Sequence, residues 1–136
     1  MKKTNKSAED YIKRIYLLKE RIGCVHSVDV AREMSFSKAS VSVAMSNLRK
    51  KNIISMKKNG EIELTQEEIK AAREICEKHS TLSDFLRTVA KVDEKTAKED
   101  ARRIGYYLSP STYAGIKRYV IALRTKEEMG HDSQRI

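Results

Sequence analysis

The chain contains 136 residues, which is enough for one domain or for two small lobes that share a core. Lysine and arginine number 28 against 19 acidic residues, so the formal net charge is +9, and the 40% of apolar residues excludes wholesale disorder. No window approaches the roughly 18 consecutive apolar residues of a membrane span, and the basic start lacks the apolar stretch of a signal peptide. We therefore expect a helical, cytoplasmic protein with no membrane partner, for which nucleic acid is the first partner to test.

The positive charge is concentrated in the first half of the chain. Residues 1–64 contain 14 basic and 7 acidic residues, a net charge of +7, whereas residues 65–136 contain 14 and 12, a net charge of +2. This distribution fits a lysine-rich solvated surface, or a first half that faces phosphates and a second half with another task. The local organisation of the chain has to decide between the two.

Three helices are predicted in the first half. The first runs from about Ser7, which suits an N-cap, to Arg21, and Gly23 stops it. A short second helix follows with Ser27 as its N-cap, and a tight turn over residues 35–40 leads into the third. The third helix is expected to direct an apolar stripe toward the core, consisting of Val41, Ala44, Met45 and Leu48.

A β-hairpin is predicted directly after the third helix. Residues 53–58 have the pattern of a strand, and residues 61–64 alternate polar and apolar side chains, as a returning strand should. Asn59-Gly60 between them is the strongest signal for a two-residue hairpin turn. The hairpin would place two lysines beside its tip.

The second half is predicted to be helical, with helices over residues 65–89, with a break near residues 80–81, then over 93–108, and from 110 onward. Thr65 begins a capping box, Asp93 suits a helix start, and Pro110 suits the first helical position. The expected fold is mainly α: an N-terminal winged helix-turn-helix with a two-stranded wing, followed by a helical dimerisation domain. The predicted boundaries are 1–64, 65–128 and a flexible tail at 129–136.

The order of these elements, helix, short helix, turn, helix and hairpin, is that of a winged helix-turn-helix. The third helix has a small, polar outer face that fits a major groove about 12 Å wide. No Arg or Gln precedes Arg49 on that face, so much of the affinity is expected to come from phosphate contacts and to fall with salt. The predicted DNA-binding residues are Ser37, Lys38, Ala39, Ser40, Ser42, Val43, Ser46, Asn47, Lys57, Lys58 and Asn59.

Several short motifs add a family resemblance: Glu9-Asp10-Tyr11-Ile12-Lys13-Arg14-Ile15-Tyr16, Ser37-Lys38-Ala39-Ser40-Val41-Ser42, Leu64-Thr65, His79-x-x-Leu82-x-x-Phe85-Leu86, and Asp100 followed by Ile104-x-x-x-Leu108-Ser109. In their order and spacing, over about Ser7 to Thr125, the sequence resembles the DtxR/MntR family of metal-responsive bacterial repressors. It is most similar to the short, manganese-type members that lack an SH3-like C-terminal domain. The resemblance implies a homodimeric transcriptional repressor whose two winged units bind a palindromic operator in double-stranded DNA.

The resemblance also implies a divalent-metal site between the first helix and the dimerisation helices, at Asp10, Lys13, His79, Arg102, Gly105 and Tyr106. Only Asp10 and His79 are ordinary ligands for Mn²⁺, Fe²⁺ or Zn²⁺, because Lys13 and Arg102 are cations and Gly105 has no side chain. We therefore expect the usual metal site to be lost, with a divalent metal, Mn²⁺, Fe²⁺ or Zn²⁺, left as the alternative cofactor.

Two arrangements of these positions remain open. In the first, Lys13 or Arg102 replaces the charge of the metal and pairs with Asp10 and with Glu99, so that DNA binding does not depend on metal. In the second, both cations point to solvent and Tyr106 packs the pocket.

The sequence also leaves open whether the protein responds to zinc, to redox state or to a small molecule. Cys76 and His79 share a helix face and are weak candidates for part of a zinc site, while Cys24 and Cys76 are candidates for a redox switch. Tyrosines of the second half fit interface or core positions better than a small-molecule pocket, namely Tyr106, Tyr107, Tyr113 and Tyr119.

No catalytic constellation is present, so we do not expect an enzyme. The runner-up function is a helical protein–protein adaptor that kept the fold and lost DNA binding. A steep salt dependence of binding to duplex DNA or heparin distinguishes the regulator from the adaptor.

Overall fold

The computed structural model describes residues 6–134, with side chains described for residues 7–130. The elements in chain order are α1 (Lys6–Ile22), α2 (Ser27–Met34), α3 (Lys38–Lys50), β1 (Ile54–Met56), β2 (Ile62–Leu64), α4 (Gln66–Phe85), a π-helical turn (Leu86–Ala90), α5 (Glu94–Tyr107) and α6 (Pro110–Gln134). This is the predicted fold class, mainly helical with a two-stranded wing. The chain divides into two compact units between Ile75 and Cys76, within α4.

The starts of the first two helices differ from the prediction. α1 begins at Lys6, so Ser7 lies inside the helix, and Gly23 ends it with a φ of +80°. Ser27 is the first helical residue of α2 and His26 is its N-cap, because the Asp29 carboxylate accepts the backbone N–H of His26 at 2.8 Å. The acidic residue of the first turn, rather than a serine, therefore defines this helix start.

The core of the first unit lies between α1, α2, α3 and the wing. Its fully buried side chains come from every one of these elements: Ile12, Ile15, Val25, Val30, Val41, Met45 and Ile62. In α3 the predicted stripe is confirmed, with Val41, Met45 and Leu48 buried and Ala44 half-buried. Packing of this stripe fixes which face of α3 is turned to solvent.

The wing has a three-residue loop instead of the predicted two-residue turn. β1 and β2 pair antiparallel with Met56 opposite Ile62. Lys57 donates its backbone N–H to the Glu61 carbonyl at 2.9 Å and accepts the N–H of Gly60 at 2.9 Å. Gly60 has a φ of +87° whereas Asn59 does not have a positive φ, which excludes the type I′ turn that Asn-Gly favours.

Tertiary hydrogen bonds hold this register. The N–H of Ile62 donates to the Val25 carbonyl at 2.7 Å, and the Ile62 carbonyl accepts from Lys19 Nζ at 2.8 Å. Both backbone polar groups of a fully buried residue are thus satisfied by the loop and helix beneath the wing. Because the position of Ile62 is fixed in this way, the register of β2 is set and three residues remain for the loop.

The predicted break near Ser80-Thr81 is wrong, because α4 continues to Phe85. Thr81 and Leu82 are both buried, which keeps the helical periodicity across this point. The regular helix ends later, in the π-helical turn, after which Lys91 adopts a left-handed φ of 60°.

The last two helices start where they were predicted to start. Asp93 caps α5 by accepting the Thr96 N–H at 2.8 Å, and Pro110 occupies the first position of α6. α6 continues to Gln134, so the tail predicted at 129–136 begins within a helix, and residues 135–136 lie outside the described residues.

Candidate nucleic-acid interface

The outward face of α3 is open to solvent within the first unit. Burial of the opposite stripe leaves a run of exposed residues that coincides with the predicted contact set on this element: Ser37, Lys38, Ala39, Ser40, Ser42, Val43, Ser46 and Asn47. α3 contains no acidic residue. An exposed, small and polar helix face with no negative charge fits the major groove of a duplex sterically and electrostatically.

The N-terminus of α3 is capped by two of these serines. Ser37 Oγ accepts the backbone N–H of Ser40 at 3.1 Å and donates to Ser40 Oγ at 2.8 Å. Lys38 is exposed beside this cap. The first turn therefore combines a positive side chain with the positive end of the helix dipole, a combination that favours a phosphate.

The cations around this face carry uncompensated charge. Lys38, Arg49, Lys50 and Lys58 are all exposed, and none of them makes an ion pair within the part of the chain that the structure describes. Arg49 and Lys50 lie in the last turn of α3, where cations also suit the helix dipole. A phosphate could therefore pair with these ammonium and guanidinium groups without displacing a protein carboxylate.

Lys57 differs from Lys58, the other wing lysine in the predicted DNA-binding set, because it has carboxylate partners. Its Nζ lies 3.2 Å from Glu63 Oε1 and 3.3 Å from Glu61 Oε2. Hydrogen bonds to Glu63 and then to Glu61 raise the pKa of the Lys57 ammonium. Lys58 and Asn59 are exposed at the tip, while the Asn59 side chain accepts the Glu61 N–H at 3.0 Å.

Cys24 lies at the same carboxylate. A hydrogen bond to Glu61, together with burial and the negative charge of Glu61, raises the pKa of its thiol. The same hydrogen bond, followed by that of Lys57, lowers the pKa of the Glu61 carboxyl. Both cysteines are free thiols, with Cys24 exposed and Cys76 half-buried. A raised thiol pKa reduces the thiolate fraction and with it the reactivity of Cys24.

The positions implied for a metal lie on α1 (Asp10 and Lys13), on α4 (His79) and on α5 (Arg102, Gly105 and Tyr106). His79 is buried, whereas Tyr106 is half-buried and packs edge-on against Tyr107 at 5.1 Å between ring centroids. Among residues 7–130, no group of three or more His, Cys, Asp or Glu side chains is arranged to hold a metal ion.

Gly105 marks a close contact between α4 and α5. A β-carbon at this position would lie 3.3 Å from Leu82 Cδ1 and 3.4 Å from His79 Cδ2. Two further buried small residues, Ala97 and Ala101, precede Gly105 at four-residue spacing on the same face of α5. The space that a ligating side chain at position 105 would need is therefore occupied by α4.

Lys78 is a cation at this contact that the sequence analysis missed. Its Nζ donates to the Gly105 carbonyl at 3.4 Å and lies 5.6 Å from the centre of the Tyr113 ring. The ammonium thus touches residues of both α5 and α6 from its place on α4. Its spacing to the glycine, 27 residues along the chain, left no local sequence signal.

The second unit also exposes apolar side chains along α5 and α6. Tyr107 is 74% exposed, and Ile104, Tyr119 and Ile121 are exposed as well. Phe85 packs edge-on against Tyr119 at 6.1 Å between centroids. None of the helices among the described residues is long and apolar enough to cross a membrane.

The winged fold and the open cationic helix define the class of helix-turn-helix transcriptional regulators. The family model for "Iron dependent repressor, N-terminal DNA binding domain" matches residues 3–62, and that for "Iron dependent repressor, metal binding and dimerisation domain" matches residues 65–131. The chain belongs to this iron-dependent repressor family, which includes DtxR and MntR.

Two individual proteins are similar to the chain over most of its length. The chain is 31% identical over 106 residues to the HTH-type transcriptional regulator MntR of Bacillus subtilis, covering 78% of this chain and 74% of MntR. It is 28% identical over 123 residues to the uncharacterized HTH-type transcriptional regulator MJ0568 of Methanocaldococcus jannaschii, covering 90% of this chain and 98% of that protein.

Solved structures share the fold. The structure of the manganese regulator SloR superposes with a TM-score of 0.74 at 24% identity, covering 88% of this chain and 54% of SloR. The chain thus spans about half of the length of that regulator.

Proposed function

We propose that this protein is a sequence-specific, double-stranded DNA-binding transcriptional repressor that acts in the cytoplasm as a homodimer on a palindromic operator. The observation that carries the proposal is the outward face of α3, which is exposed, free of acidic residues and flanked by cations without ion pairs in the described chain. The capped N-terminus of α3 and Lys58 at the wing tip supply phosphate contacts on either side. The exposed apolar residues of α5 and α6 supply a surface that a second copy would cover.

The proposal includes independence from the family's metal. At the implied positions the residues present do not fit a divalent ion, because the place of one ligand is a glycine packed against Leu82 and His79. The Lys78 ammonium already donates a hydrogen bond to the Gly105 carbonyl at 3.4 Å and adds a positive charge there. Lys13 and Arg102 add two more cations to the set, whereas a site for Mn²⁺ or Fe²⁺ needs several O/N donors and a net negative charge.

A DNA titration tests both parts of the proposal. The full chain is titrated into a fluorescein-labelled duplex taken from upstream of its own gene, with either excess EDTA or added Mn²⁺, over a series of salt concentrations. We expect equal affinity in EDTA and Mn²⁺ and a linear fall of log affinity with log salt concentration. An increase in affinity with Mn²⁺ that is lost in Asp10→Ala and His79→Ala would contradict metal independence and leave DNA binding standing.

A charge-matched pair of variants locates the contact surface. Lys38→Ala with Lys58→Ala should weaken binding at least about tenfold at physiological salt and reduce the salt slope. Lys70→Ala with Lys95→Ala, which removes the same charge from exposed positions of α4 and α5, should leave both nearly unchanged. Equal losses in the two variants would place the contact elsewhere, and absence of duplex binding at every salt concentration would favour the protein–protein adaptor.

A further inference from the structure

Val43 is the most exposed large apolar side chain among the described residues of the first unit, at 62%. It lies two residues from both Val41 and Met45, which are 0% and 1% exposed. Two residues along an α-helix correspond to a rotation of about 200°, so Val43 points almost directly away from the core. A β-branched apolar residue at the centre of the solvent face has neither a packing role nor a good helix propensity to explain it.

The neighbours of Val43 on this face are small and uncharged. Ala39 lies one turn before it and Asn47 one turn after it, and both are exposed. Ser42 and Ser46 flank the same line. Ser37 and Ser40 hydrogen-bond to each other at the cap, and the polar side chains nearest Val43 are Ser42, Ser46 and Asn47. From residue 39 to residue 48 there is no Arg, Lys or Gln.

The chemistry of the major groove separates the bases that such a face can read. The C5-methyl of thymine is the apolar group on a base edge there, and small apolar side chains pack on it. Asn suits adenine because its amide can accept from N6 and donate to N7. Guanine is read best by Arg or Lys, which are missing from the centre of α3. The side chains present therefore match A·T pairs and do not match G·C pairs.

We propose that α3 selects A·T pairs at the centre of each half-site, with Val43 packed on a thymine methyl and Asn47 paired with an adenine one helical turn further along. The inference rests on the proposed function, because it names the DNA sequence class that the same face would prefer. Val43 determines specificity through an apolar contact, and its removal changes which duplex is bound more than whether DNA is bound.

Selection from a random duplex library followed by methyl deletion tests this inference. The full chain should enrich half-sites with A·T pairs at their centre. Replacing the selected thymines by deoxyuridine removes only the methyl groups and should weaken binding about three- to fivefold per buried methyl. Val43→Ala should bind thymine and deoxyuridine duplexes equally, whereas Ile22→Ala, which truncates another exposed apolar residue, should keep the difference. Asn47→Ala should lose the adenine preference at its own position.

Each outcome bears on one claim. Enrichment of G·C pairs at the centre, or equal affinity of the wild-type chain for both duplexes, would overturn the A·T preference while DNA binding stands. A thymine preference that persists in Val43→Ala would overturn the assignment to Val43. Failure to bind or enrich any duplex would count against the proposed function itself. Circular dichroism of each variant confirms that the helical fold is kept.

Discussion

In the first unit Lys38, Arg49, Lys50 and Lys58 make no ion pair within the described chain, whereas in the second unit three carboxylates hold basic partners. Asp84 binds Arg87 and Arg124, Glu77 binds Lys117, and Glu94 binds Lys98 at 3.1 Å. In the first unit the carboxylate of Glu33, on α2, binds Arg21 of α1 at 2.8 Å and not a cation of α3.

This difference shows that basic residues can have different uses within one chain. A cation that already has a carboxylate partner contributes little attraction to a polyanion, while an unpaired one keeps its field. We expect the face of α3 and the wing tip to carry the attraction to DNA, while Glu77 and Asp84 join α4 to α6 through Lys117 and Arg124. Variants in both units test this and other differences between them, beginning with the largest expected effect.

The largest effect is expected at the close contact of α4 and α5. Gly105→Leu should lower the free energy of unfolding by about 2 kcal/mol, because its β-carbon already meets Leu82 and His79 and the rest of the side chain has no room. Urea denaturation measures the change. Gly115→Leu is the matched control, since the nearest atom to its β-carbon is the end of the Arg118 side chain at 3.7 Å, and it should be neutral or slightly stabilising. Equal effects at both glycines would contradict tight packing at residue 105.

The next effect is expected at the ion pairs of Asp84. Burial raises the pKa of this carboxyl, but hydrogen bonds from Arg124 and Arg87 outweigh burial and hold the pKa below its usual value. A depressed folded-state pKa contributes stability above the unfolded value, near pH 4, and that stability is lost as the pH falls through the folded value. Asp84→Asn should therefore cost about 1–2 kcal/mol at pH 7 and much less at pH 3, as measured by urea denaturation.

The outcome at low pH separates an ionic from a packing role. A difference between Asp84→Asn and the wild-type chain that stays the same from pH 7 to pH 3 would assign the effect to packing. Glu94→Gln is a suitable control, because Glu94 and Lys98 are both highly exposed and their pair should contribute little at either pH.

A smaller effect is expected in the wing, where a lysine is held by two carboxylates. Lys57 is the wing cation with carboxylate partners, and Glu61→Gln with Glu63→Gln would free its charge. We expect duplex affinity to rise a few-fold at low salt, with a steeper salt slope by roughly one phosphate contact for each protomer. Fluorescence anisotropy against salt concentration measures both. When Glu61→Gln and Glu63→Gln are made in the Lys57→Ala variant, only the gain in affinity from the lost negative charge should remain. If the double change leaves the salt slope unaltered both in the wild-type chain and in Lys57→Ala, Lys57 does not reach DNA.

The smallest effect compares the left-handed residues of the two units. Lys91 in the second unit and Asn52 in the first have φ values of 60° and 59°. Lysine tolerates this conformation less well than asparagine, so Lys91→Gly should raise the free energy of unfolding by up to about 1 kcal/mol and Asn52→Gly by less. Chemical denaturation of the two variants side by side gives the difference. A larger gain at Asn52 would contradict the comparison.

Local sequence signals were sufficient for much of this fold. The apolar spacing of α3 predicted which face is buried and which is open, and Asp93 and Pro110 predicted the starts of α5 and α6. These features depend on residues within a few positions of each other, where periodicity and capping operate. The exposed part of the candidate interface on α3 could therefore be predicted.

The remaining features depend on partners that are distant along the chain. Asn59-Gly60 favours a two-residue turn, but Val25 and Lys19 hold Ile62 and the loop takes a third residue. The pairing of Lys57 needs the register of β2, and the role of Lys78 needs the packing of α4 on α5. Such contacts are set by tertiary structure, which local patterns do not encode.

The three-residue loop of the wing makes Lys58 dispensable to the fold. Lys57 and Glu61 are joined across the base of the loop, and without Lys58 the two residues left between them would be Asn59 and Gly60. That dipeptide closes a hairpin well by itself, so the strand register and the buried Ile62 would be kept. We therefore expect deletion of Lys58 to shorten the wing while the strand register is kept, so that the reach of the wing can change independently of the interior of the unit.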